Sequence, residues 1–325
     1  MTGSTVMFGL RFDLRNPDFA GVSMADRYDA ALEMSLWAEQ HGGLAVSISE
    51  HHGSPDGYLP SALPFAAALA ARTSTIAIGI NALVAPFYDP LRLAEDIAVV
   101  DQLSRGRLSV TLGAGYVPGE FAMFDVAMNQ RAARMTETVE TLRAAWTGEP
   151  FTFRGRTVRV TPAPYQPGGP QIVMGGSSEP AARRAARIGD GFIPSVPEVY
   201  EFYRDECRVL GKPDPGPWLG GDTTSTFVAA EPDAEWEILG PYLLHETNAY
   251  GAWQAQTGGL TTGFTTVADT AQLRAEGRYR ICTPEAFLEQ AGEFTFVMLH
   301  PMCGGIPPEL AWRHLELFAE RVLNA

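Results

Sequence analysis

No basic block interrupts this sequence. Its 24 lysines and arginines stand against 38 aspartates and glutamates, a net charge of −14, which argues against nucleic acid or an anionic membrane as a partner. Cysteine is scarce: Cys207, Cys282 and Cys303 are far apart and form no Cys-x-x-Cys pair. An odd, scattered set implies buried, reduced thiols in a reducing cytoplasm rather than a disulfide framework. No stretch approaches the roughly 18 apolar residues of a membrane span, and MTGSTVMFGL at the N-terminus lacks the basic segment and cleavage site of a signal peptide. The expectation is a cytoplasmic protein. Internal repeats and low-complexity tracts are absent, and no Gly-x-Gly-x-x-Gly follows the first strand, which disfavours a dinucleotide-binding open sheet.

What is present is a rhythm of apolar runs and helical stripes. Val6–Phe12, Leu44–Ser49, Ile76–Val84 and Leu108–Leu112 read as buried strands. Between them, Ser23 and Asp26 have capping-box spacing, Pro60–Arg72 is an alanine-rich helix, and Asp89-Pro90 supplies an N-cap and first-turn proline. Met135, Val139, Leu142 and Trp146 stripe the next helix. Four strand-then-helix units in succession require parallel strands, because each crossover returns the chain to the same end of the sheet. Phe151–Pro164 alternates around an Arg-Gly turn and reads as a surface hairpin; Gln171–Met174 and Gly191–Pro194 resume the pattern. Thr224–Ala229 and Phe294–Leu299 complete eight candidates. The chain, residues 1–325, is expected to be one α/β domain, a (β/α)8 TIM barrel with an irregular insertion between strands 7 and 8 at about residues 232–280.

Polar chemistry concentrates at the expected C-terminal mouth of that barrel, where such folds carry their sites. Glu50, His51 and His52 leave the second strand; an imidazole there transfers protons near neutral pH, and a neighbouring carboxylate fixes its tautomer. Backbone alternation sends His51 and His52 different ways, so one of them faces the pocket. The plain alternative is a loop histidine satisfied by backbone. Adjacent ligands do not readily converge on one ion, and neither His-x-His nor HExxH is present, so no metal site is expected at these residues.

Gly113, Ala114, Gly115 and Tyr116 follow the fourth strand, where glycine lets backbone approach a flat ligand, or simply turns a tight corner. Gly175, Gly176, Ser177 and Ser178 precede a helix, offering an anion cradle or an ordinary N-cap. Arg107 precedes the fourth strand and belongs at the opposite end of the barrel. Tyr242, Tyr250, Trp253 and Phe264 in the insertion suit either a substrate wall or plain packing.

The stretches SEHH, NALVAP followed by DPLRLAEDIAVVDQLSRGRLSVTLGAGYVPGEFAMF, GGSSEPAARRAARIGDGFIPS and HPMCGGIPPELAW together resemble the bacterial luciferase-like family of flavin-dependent monooxygenases and oxidoreductases. The resemblance implies His51, with Glu50, as the catalytic group. It implies a non-proline cis peptide at Asn81 and Ala82 beneath the flavin ring, the wall formed by Gly113 to Tyr116, and a phosphate turn at Gly175 to Ser178. It further implies reduced FMN delivered by a separate flavin reductase, a small organic substrate, a homodimer, and oxygen insertion as the reaction. Gly113 and Ala114 stand where the luciferase has a cysteine and a phosphate-binding arginine. That departure keeps open a deazaflavin coenzyme with hydride transfer. A non-catalytic flavin-binding protein and a zinc hydrolase are the remaining alternatives.

Overall fold

In the computed structural model the described residues are 5–217, 224–257, 263–291 and 294–324. The strands are β1 Thr5–Phe12, β2 Ala45–Ile48, β3 Ala77–Val84, β4 Leu108–Gly113, β5 Phe151–Phe153, β6 Arg156–Val158, β7 Ile172–Gly176, β8 Gly191–Pro194, β9 Ser225–Val228, β10 Tyr279–Cys282 and β11 Phe294–Leu299. The helices are α1 Met24–Gln40, α2 Ala62–Arg72, α3 Pro90–Ser104, α4 Pro118–Met123, α5 Arg131–Ala145, α6 Glu179–Ile188, α7 Tyr200–Val209, α8 Pro232–Ala255, α9 Thr270–Ala275, α10 Pro284–Gln290 and α11 Pro308–Phe318. Seven strands form one curled parallel sheet in the order β11-β1-β2-β3-β4-β7-β8. The arrangement is that of a (β/α)8 barrel. Strand β9 packs beside β11 and pairs in parallel with β10, and no hydrogen-bonded ladder joins β8 to β9 among the described residues.

The local signals act where the sequence places them. Ser23 accepts the Asp26 amide at the start of α1, Asp89 accepts the Leu91 and Arg92 amides at α3, and Thr283 accepts the Ala286 amide at α10. The β5–β6 hairpin turns through Arg154 and Gly155, both at positive φ. The outward faces of the central strands, including Ile48, Ile78, Ile80, Val110 and Leu112, are sealed beneath the helices. All three cysteines are buried and unpaired with one another.

The insertion differs from expectation. Residues 258–262 lie outside the described residues; the remainder is led by α8, a helix of 24 residues. Its buried stripe runs through Trp236, Leu239, Leu243, Glu246, Thr247, Tyr250 and Gln254. Those positions follow the helical period, but three of them are polar and Pro241 sits inside the helix, so an apolar stripe is hidden from the sequence. Strand β10 was also not expected; four residues between Gly277 and Thr283 carry too short a pattern to register.

Arg107 sits at the start of β4 and closes the floor of the barrel. Its guanidinium donates to the carbonyls of Ser104, Ala70, Thr73 and Ile76 and to the Thr73 hydroxyl, at 2.8–3.0 Å. Removing it strands several carbonyls at once, so Arg107→Ala is expected to lose about 2–4 kcal/mol in urea unfolding. Cofactor affinity, measured by titration, should not change, because the residue lies at the far end from the mouth.

Candidate active site

Parallel register decides what faces the lumen. Arg11, Ser47, Gly79 and Ser109 are partners across β1 to β4, and Asn81, Thr111, Val173 and Gly191 form the next row across β3, β4, β7 and β8. Barrel interiors are usually filled by bulky branched side chains. Apart from Val173 these rows are instead small or polar, and Asn81 and Ser109 stay exposed although their strands are central. A hollow therefore opens toward the C-terminal ends of the strands. One hydrogen-bonded ladder crosses its wall: the Asn81 amide donates to Ser47 Oγ at 3.0 Å and accepts from Thr111 Oγ1 at 2.6 Å. The Asn81–Ala82 peptide is cis, as the resemblance implied.

His51 and His52 diverge as backbone alternation requires. His51 Nδ1 lies 2.7 Å from Glu120 Oε1, and the same oxygen accepts the His52 amide at 3.0 Å. With Nδ1–H directed at a carboxylate, Nε2 is the free nitrogen; it lies 3.5 Å from the Tyr116 hydroxyl. The His52 ring turns outward between Phe87 and Phe124. The carboxylate hydrogen-bonded to the His51 ring is thus Glu120 and not Glu50. Glu50 accepts the Val84 amide at 3.1 Å, the Tyr88 hydroxyl at 2.7 Å and the His52 ring at 3.1 Å. It ties the end of β2 to the end of β3 and stands beside His52 rather than His51. Glu120 went unread because it sits on the short helix α4, 69 residues from His51; the only signal was its place in the VPGEF motif.

The aromatic side chains of α8 roof this group. Trp253 stacks on His51 with centroids 4.2 Å apart, and Tyr250 and Tyr58 meet its edges. Phe264 stacks on Tyr250, while Tyr242 packs on Phe19 away from the mouth. Beneath the roof, the Arg15 guanidinium is faced by Tyr58, Tyr250 and Trp253 at 4.7–4.9 Å and paired with Asp56 and Asp13. Burial pushes the Tyr58, Tyr116 and Tyr250 phenols up from their ordinary value, so all three remain neutral donors near pH 7. His245, also on α8, reaches Asp56 at 2.8 Å.

The remaining expected residues lie on the rim. Gly113 comes within van der Waals reach of Ala82, where an added Cβ would sit 3.2 Å from the alanine methyl. Gly115 has φ +72°, and a Cβ there would meet Val84 and Phe121 at 2.9–3.0 Å, so this glycine serves the corner itself. Ala114 is half-buried. Gly175, Gly176 and Ser177 are half-buried at the end of β7, and Ser178 starts α6 without a side-chain cap bond. Arg183 and Arg187 are spent on Glu206 of α7. Arg184 behaves differently: burial first, then the charges of Arg131 and Arg187, lowers its pKa.

One oriented imidazole at the C-terminal mouth of an α/β barrel is what this arrangement describes. The chain belongs to the luciferase-like monooxygenase family, whose model matches residues 8–283; its members are flavin-dependent oxidoreductases. It is 32% identical over 186 residues to the F420-dependent glucose-6-phosphate dehydrogenase of Nocardia farcinica (strain IFM 10152), covering 54% of this chain and 55% of that protein. The match spans about half the length of such curated relatives. The crystal structure of the monooxygenase RslO1 from Streptomyces bottropensis superimposes with a TM-score of 0.74 at 26% identity, covering 98% of this chain and 99% of that one. The oxygenating constituent of 3,6-diketocamphane monooxygenase from the CAM plasmid of Pseudomonas putida, a type II Baeyer-Villiger monooxygenase in complex with FMN, gives a TM-score of 0.68 at 20% identity, covering 100% of this chain and 99% of that one. At that identity the likeness is one of fold. No helix among the described residues is long and apolar enough to cross a membrane.

Asp56 offers a pH test of the buried network. Burial alone would raise its carboxyl, but the His245 hydrogen bond, the Arg15 charge and the Ser54 hydroxyl outweigh that and hold it below the usual carboxylate range. A depressed folded pKa means stability that is present above the ordinary value of about 3.9 and lost as pH falls through the folded one. Asp56→Asn should cost about 3 kcal/mol at pH 7 in chemical denaturation. The gap to wild type should persist down to about pH 4 and close below it.

Proposed function

We propose that the chain is a flavin-dependent monooxygenase that uses reduced FMN and O2 to oxygenate a small organic substrate. The observation that carries this reading is the His51–Glu120 pair, set beside a lumen whose filling side chains have been replaced by small polar ones. The residues fit such a cofactor. The hollow beside Ser47, Asn81 and Thr111 suits a flat ring with polar edges. The amides and hydroxyls of Gly175 to Ser178 at the head of α6 suit its phosphate and would carry more of its binding where Ala114 supplies no arginine. When bound, reduced flavin supplies the electrons for oxygen activation.

This chain's own residues do the rest. Glu120 holds His51 Nδ1, so that Nε2 is the atom that carries or takes a proton at the mouth. Tyr116 lies beside that nitrogen as a neutral hydroxyl. Trp253 and Tyr250 keep water from it, which a reaction with activated oxygen needs. No nicotinamide fingerprint accompanies the site, so reduced flavin would come from a separate reductase.

A second reading has its own support: curated relatives are named F420-dependent dehydrogenases, and Ala114 lacks the guanidinium that the luciferase pattern has. On that reading the same mouth transfers hydride with a deazaflavin and uses no oxygen. Titrating the apoprotein with FMN and with F420, then following oxygen uptake with reduced FMN, separates the two. FMN binding with substrate-dependent oxygen consumption is the expected result; tight F420 binding with indifference to FMN would sink the monooxygenase.

The proton role has a separate check. In His51→Gln and Glu120→Gln, turnover should fall by about 10²–10⁴-fold and about 10-fold respectively, with the cofactor dissociation constant changed by no more than a few-fold. Normal turnover in His51→Gln would remove that imidazole from the mechanism.

A further inference from the structure

Below the aromatic roof, three side chains of metal-binding type converge where none was expected. Glu246 comes from α8, and His300 and Cys303 from the loop leaving β11; their donor atoms all lie within 4.8 Å of one another. Exposure is 2%, 1% and 0%. His300 is the informative member, because it is 1% exposed and neither ring nitrogen has a hydrogen-bond partner. Nδ1 faces Glu246 Oε1 at 3.6 Å and Nε2 faces Asp13 Oδ1 at 3.7 Å, both too long for hydrogen bonds. Cys303 Sγ lies 2.7 Å from Glu246 Oε2, which also accepts the Tyr279 hydroxyl at 2.6 Å.

We propose that Glu246, His300 Nδ1 and Cys303 Sγ bind a divalent transition metal, zinc by the chemistry of the set. Imidazole, thiolate and carboxylate together suit zinc, while magnesium and calcium take oxygen ligands. Tetrahedral bonds of about 2.0–2.3 Å put neighbouring ligand atoms about 3.5 Å apart, close to the observed separation of His300 Nδ1 and Glu246 Oε1. Asp13 Oδ1, 3.7 Å from Nε2, is the carboxylate toward which that N–H would turn once the ring settles on an ion, the tautomer that leaves the Nδ1 lone pair for the metal. On binding, the Cys303 thiol proton leaves to solvent; no redox change or co-reactant is involved.

The ion pins α8 to the barrel. The following loop is shaped for that contact, since Gly304 at φ +60° passes so close to α8 that a Cβ would lie 2.1 Å from the Tyr242 carbonyl oxygen. The site is separate from the flavin reading and stands whether or not that reading holds.

The test uses the full-length chain produced in zinc-supplemented medium and dialysed, with zinc measured by mass spectrometry. About one zinc per chain is expected. Most of it should be lost in Cys303→Ser and His300→Ala, and affinity should weaken about 10–100-fold in Asp13→Asn. Cobalt added to the zinc-depleted wild type should give a thiolate-to-cobalt absorption band, so the result does not depend on the variants folding. Wild type that holds no zinc and takes up neither ion would overturn the proposal and leave His300 a plain bridge between Asp13 and Glu246. Full zinc retention in folded Cys303→Ser would overturn it equally.

Discussion

Arg15 is a guanidinium with no exposure, and a buried charge of that kind must be met on every side. Asp13 meets it from the end of β1, Asp56 from the loop after β2, and Tyr58, Tyr250 and Trp253 cover its faces. One cation thus requires three separate parts of the chain to close on the same point. The position of Trp253 over His51 depends on that closure. So does the path of α8, which reaches Asp56 a second time through His245.

The barrel was legible because its evidence is local. Apolar runs, Ser23, Asp89 and Thr283 caps, and the Arg-Gly hairpin each depend on residues a few positions apart, and each formed as read. The active site was legible only in part, since a motif marks where chemistry sits without naming its partners. The EHH stretch pointed to His51, but its own glutamate turned to Val84 and Tyr88, and the carboxylate that meets the ring arrived from α4. Helix α8 shows the converse. Its period is regular, yet Glu246, Thr247 and Gln254 occupy buried positions, and a search for apolar stripes passes over a helix whose inner face binds polar groups.

The departure at Gly113 and Ala114 acquires a structural setting. Gly113 lies against Ala82 with little room for a side chain, so a bare backbone at this position keeps the wall near the cis peptide thin. Burial, with the charges of Arg131 and Arg187, lowers the pKa of Arg184 on α6, so positive charge gathers along that helix, which follows the turn at Gly175 to Ser178.

The ladder across the lumen wall has a direction. Asn81 gives a hydrogen to Ser47 and takes one from Thr111, so the hydroxyl hydrogen of Ser47 is unused in the ladder while Thr111 has already spent its own. The wall therefore presents a donor at one end and lone pairs at the other, with the amide between them holding that order. Reversing the Asn81 amide would bring donor to donor at Thr111 and acceptor to acceptor at Ser47 unless both hydroxyls turned with it. The order of donor and acceptor along the barrel wall is thus fixed by one amide rather than by the hydroxyls themselves.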